Sequence, residues 1–144
     1  IVTLVHDGII ENYMELKKIN TRMNEIADKI ISSYGKEISE YDELEKQVIC
    51  ALVFGALNAS AIENIADSSY LYGIMIVILM NKFGYSEDGA IQFEDYLVEC
   101  TDRNFHPVMN TIIRKGITAY DYIENPKVLK ENIDEIMRVI RKST

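Results

Sequence analysis

Asp88, Gln92, Asp95, Glu99 and Asp102 recur at alternating steps of four and three residues. On an α-helix that spacing gathers all five side chains into one stripe. No Lys or Arg interrupts the stripe before Arg103. Like charges at i,i+4 cost a helix stability, so an unbroken acidic stripe asks for a reason. A basic partner supplies one, because complementary fields speed encounter and set register. A divalent metal supplies a weaker one, since carboxylates on the outer face of a single helix do not close a cage. A plain solvated face is the structural alternative.

Glu37, Glu40 and Glu43 form a second acidic run, E-x-x-E-x-x-E. All-α nucleotide pyrophosphatases hold Mg²⁺ around a triphosphate with such carboxylates, but they need a second acidic pair on a facing helix. Asp67 is the near candidate here, and it reads better as a helix cap. Tyr120, Asp121 and Tyr122, followed by Glu124, form another patch. Tyrosines are enriched at interface hot spots, while in a short helical turn they equally cover the edge of a core.

His6 and His106 are the only histidines. Neither sits in H-E-x-x-H or E-x-x-H spacing, so zinc and carboxylate-bridged di-iron centres lack ligands. No Walker loop, G-x-G-x-x-G or G-x-S-x-G occurs. The sequence therefore offers no catalytic residues, no metal ligands and no cofactor site, and it favours a binding protein over an enzyme.

These residues need elements to position them, and the periodicity is helical throughout. Ile9, Tyr13, Leu16, Ile19, Met23, Ile26, Ile30 and Tyr34 mark one face of a long helix over 9–34, which Gly35 ends. A second helix begins near Asp42 and is apolar on nearly all sides from Ile49 to Leu57, with Gly55 and Asn58 marking either a close helix contact or an end. Asp67, Ser68 and Ser69 cap a third helix, about 68–83, whose all-round apolar body predicts the central position in the fold. Ser86 caps a fourth, with Ala90, Phe93, Leu97 and Cys100 facing inward. A fifth starts near His106-Pro107 and stops around Gly116. A helical turn over 118–124 follows. Asn125-Pro126 opens a sixth helix, buried along Leu129, Ile133, Ile136 and Ile140. The expected architecture is all-α: one domain over residues 1–144, a bundle of about six helices around the apolar helix at 68–83.

The net charge of −8 over 144 residues argues against nucleic acid and anionic membranes as general partners. It suits a basic protein. The charge is uneven: residues 105–144 carry seven basic and five acidic side chains, and the acidic excess lies before them. Cys50 and Cys100 stand in apolar stretches without a C-x-x-C partner, which fits buried thiols in a reducing compartment. The longest apolar run, Tyr70–Met80, falls short of the roughly 20 residues a membrane span needs.

Residues 5–17, VHDGIIENYMELK, are similar to a segment of the glutaminase domain of glucosamine-6-phosphate synthases. That domain requires an N-terminal cysteine nucleophile and β-sheets, whereas this chain opens with Ile1 and continues as helices. In size, acidity and its buried segment Val53-Phe54-Gly55-Ala56-Leu57-Asn58-Ala59, the chain resembles the small all-helical immunity proteins of bacterial polymorphic toxin systems, in particular immunity protein family forty-eight. The resemblance implies a cytoplasmic protein that binds and neutralises a basic toxin domain. Two other readings stay open: a metal-dependent nucleotide hydrolase, and a ligand-sensing or dimerisation domain of a regulator.

Overall fold

The computed structural model describes residues 2–63 and 67–143, the side chains of 2–7 and 9 excepted. Among the described residues every element is helical: six α-helices and two 3-10 turns. Helix α1 (Val2–Tyr34) buries Met23, Ile26 and Ile30. It exposes Ile10, Tyr13 and Met14, so that stretch of the helix stands outside the core. Tyr13 is thus not the inward residue that the spacing predicts, and Ile9 lies outside the described side chains. Gly35, at φ 77°, ends the helix with a left-handed residue.

A 3-10 turn (Ile38–Glu40) leads to helix α2 (Glu43–Glu63). Its start is a reciprocal capping box. The Glu45 N–H donates to Asp42 Oδ1 at 2.8 Å, and the Asp42 N–H donates to Glu45 Oε1 at 2.9 Å. Glu45 is buried and also accepts from the Tyr34 hydroxyl and from Lys36 Nζ at 2.8 Å. Burial raises its pKa, but these hydrogen bonds outweigh burial and leave the carboxyl below its ordinary value. Arg141 reaches Asp42 from the far end of the chain at 2.9 Å.

From Val48 to Leu57 every residue of α2 is buried. By length and composition alone α2 could cross a membrane, yet most of it is enclosed by the other helices. Helix α3 (Ser68–Asn81) is capped by Asp67, which accepts from the Ser69 N–H at 2.8 Å. It buries Leu71, Ile74, Met75, Ile78 and Leu79 but exposes Gly73 and Val77. The bundle therefore centres on α2, not on the helix at 68–83, which flanks it. All-round apolarity does not distinguish the two, but α2 is longer and presents Ala51, Gly55 and Ala56, which let neighbours approach from several sides.

Ser86 caps helix α4 (Glu87–Glu99), accepting from the Gly89 N–H at 3.1 Å. Helix α5 (Pro107–Ala119) starts with His106 Nδ1 accepting from the Met109 N–H at 3.1 Å. It does not stop at Gly116. That glycine lies against α2: a Cβ placed on it would sit 2.4 Å from Leu52 O, and one on Gly55 would sit 2.1 Å from Ile113 O. The two helices meet backbone to backbone. A 3-10 turn (Tyr120–Tyr122) and helix α6 (Pro126–Ser143) complete the bundle. One hydrophobic cluster draws on all six helices. Cys50 and Cys100 are free and buried in it, and burial pushes both thiols above their ordinary pKa.

Candidate functional site

The acidic stripe is exposed as its spacing predicts. Asp88, Gln92, Asp95 and Glu99 lie along the outer side of α4, and Asp102 follows in the turn beyond its end. Asp102 Oδ1 accepts from the Asn104 N–H at 2.8 Å, which fixes that turn. Asp95 accepts from the Tyr72 hydroxyl of α3 at 2.6 Å, and this bond raises the Tyr72 pKa. Among the described residues none of the four carboxylates on the stripe is ion-paired.

The inner side of α4 differs from expectation at one position. Ala90, Leu97 and Cys100 are buried, but Glu94 takes the place assigned to Phe93. Glu94 is 2% exposed and its Oε2 has no hydrogen-bond partner. Burial, aided by the Asp95 charge, pushes its pKa up to about 8. Phe93 is half-buried instead, tilted against Tyr85 and edge-on to Tyr96, whose ring also meets Phe105 and His106.

The tyrosine patch divides. Tyr120 and Tyr122 both pack against the core edge, while Asp121 is exposed. Glu124 turns back to α1, pairing with Lys29 and with Arg22 at 3.6 Å. Tyr122 also borders a feature that the sequence does not announce: a half-open groove of about 500 Å³ between α5 and α6. Its floor includes Leu52, Ile112, Ile133 and Ile136. Val108 and Val139 form its walls and are 54% and 48% exposed. Thr111, Lys115 and Thr118 line the α5 side; Asn132 and Glu135 line the α6 side. Glu135 is held by Arg138 through two hydrogen bonds, of 3.0 and 2.6 Å, which lower its pKa. The one sequence signal for this groove is the pair of valines on otherwise polar faces of their helices.

Glu37, Glu40 and Glu43 are all exposed and spread over the 3-10 turn and the start of α2, so they share no helix face. Among the described residues no three His, Cys, Asp or Glu side chains are grouped to hold a metal ion.

The outer surface of the bundle thus offers an acidic stripe and an apolar groove. The family model described as Immunity protein 48 matches residues 15–141, and the chain belongs to that family. Immunity proteins are in general non-enzymatic, and their partners are toxins. No curated protein and no solved structure matches the chain.

Proposed function

We propose that this chain acts in the cytoplasm as an immunity protein that binds a cognate bacterial toxin domain and blocks it by occlusion. The observation that carries this reading is the family match over residues 15–141. The acidic stripe supports a basic toxin surface, which Asp88, Asp95, Glu99 and Asp102 would draw in by long-range attraction. Rim charges of this kind act on the association rate more than on the final affinity.

The test is the quadruple variant Asp88→Asn, Asp95→Asn, Glu99→Gln, Asp102→Asn. The probe is the domain encoded immediately upstream in the genome. Removing mutually repelling charges leaves the fold intact, so the variant melts no lower than wild type. At low salt it associates roughly 10-fold more slowly, and the gap closes at high salt. An unchanged association rate at both ionic strengths would show the stripe to be a solvated face. Incubation with nucleoside triphosphates and Mg²⁺ or Mn²⁺ gives no turnover on this reading. Hydrolysis that disappears in Glu40→Gln or Glu43→Gln would overturn the non-enzymatic assignment.

A further inference from the structure

The stripe leaves the groove between α5 and α6 unexplained. Its floor is apolar, and two valines on its walls remain about half exposed, although both helices have polar residues available elsewhere. Along α5 the lining runs from Val108 to Ala119. At 1.5 Å per residue that is about 16 Å, or roughly three helical turns. A partner helix presenting apolar side chains at i, i+4 and i+7 fills a trough of this length.

Charge selects the chemistry of its edge. Lys115 lines the α5 wall, and Arg114 stands one helical step outside Thr111 and Thr118. Among the described residues neither is ion-paired. Glu135, on the opposite wall, is held by Arg138 and also feels the charge of Lys115. Arg114, Lys115 and Arg138 outnumber that one carboxylate, so the groove's edge carries a net positive charge of 2 on a protein whose net charge is −8. A carboxylate along the edge of the incoming helix meets that charge.

We propose that this groove seats one amphipathic helix of the toxin, with its apolar face on the floor and an acidic edge against Lys115 and Arg114. The proposal rests on the reading of the chain as an immunity protein and adds where, and by what element, the partner is held. Steering and holding then fall to different surfaces: the stripe sets how fast the toxin arrives, and the groove sets how slowly it leaves.

Binding of the upstream-encoded domain is measured for wild type, Val139→Glu, Val108→Glu and Lys115→Glu. All three positions are exposed, so circular dichroism and melting stay near wild type. Either glutamate in the trough weakens binding roughly 30-fold or more, mainly through faster dissociation. Lys115→Glu weakens it roughly 10-fold, and a lysine placed on the toxin helix edge recovers the loss. If wild type binds the toxin and all three variants bind equally well, the groove proposal fails while the immunity reading stands. If wild type does not bind that domain at all, the immunity reading fails. The groove is then judged with two synthetic helical peptides carrying Leu at i, i+4 and i+7 and either Glu or Lys edges. Protection of α6 amides by the Glu-edged peptide alone shows that the groove takes an acid-edged helix from a partner other than that toxin; equal protection by both, or by neither, overturns the groove proposal altogether. A dimer of this chain that Val139→Glu dissociates would assign the groove to a second copy and also overturn the proposal.

Discussion

Gly116→Ala and Gly55→Ala are each expected to destabilise the protein by at least about 3 kcal/mol. Overpacking a core costs about 1–3 kcal/mol when side chains can shift to absorb it. Here they cannot. The added methyl at 116 would lie 2.4 Å from Leu52 O and 2.9 Å from Leu52 Cα, and the one at 55 would lie 2.1 Å from Ile113 O and 2.9 Å from Ile117 N. Every atom met is backbone, so relief requires the axes of α2 and α5 to separate and the core between them to loosen. A domain stabilised by about 5–15 kcal/mol loses much of its margin this way. Gly73→Ala is the control. It sits in α3, exposed, with nothing within 4 Å of the new methyl. It gains about 0.5–1 kcal/mol from helix propensity. Urea midpoints of the three variants give the comparison. Gly116→Ala unfolding with wild type would show that the helices do not touch through these glycines.

Glu94→Gln is expected to stabilise the protein increasingly as pH rises. The Glu94 carboxyl has an ordinary pKa of 4.5 and is pushed up to about 8 in the fold by burial and by Asp95. Between those values the folded chain keeps a proton that the unfolded chain has released. Stability therefore falls with rising pH across that window and levels off above it. At roughly 1.4 kcal/mol per unit, the loss by pH 9 is of order 5 kcal/mol. The amide removes the titration, so the difference between variant and wild type is small near pH 4 and widest at pH 9. Glu94→Met goes further, since it also removes the unpartnered oxygen and replaces it with a side chain of similar length. Denaturation midpoints at pH 4.5, 7 and 9 decide the matter. A gap between the Glu94→Gln variant and wild type that does not change with pH would mean that Glu94 ionises freely.

What the sequence made legible was local. Asp67, Ser86, His106-Pro107 and Asn125-Pro126 cap helices where their types predict, because a cap depends on residues within one turn. Leu97 and Ile133 are buried because each lies on a periodic apolar stripe, and Leu57 and Ile78 because each lies in a segment that is apolar on nearly all sides. Positions where two neighbours compete for one orientation were not legible. Phe93 and Glu94 both complete a stripe with Ala90 and Leu97, and only the packing partners decide which turns inward. Gly116 looks like a helix stop unless the residue opposite it is known. The acidic stripe could be read because one helix carries most of it. The groove could not, because its walls come from two helices and its floor includes residues of α1 and α2; Ile30, Tyr122 and the buried stripe of α6 were singled out beforehand, but each as part of its own element.

The glycine contact has a mechanical consequence for that groove. Its two walls are not equally stiff. Helix α5 is clamped to α2 along bare backbone, so it behaves as a fixed jaw. Helix α6 leans mainly on α1 through side chains and is tied near its end by the Arg141–Asp42 ion pair. Of the two walls, α6 is therefore the one expected to yield if a guest widens the trough. The entropy lost on capture is then concentrated in one helix, and hydrogen exchange records it as slowing in α6 over an α5 already protected in the free protein.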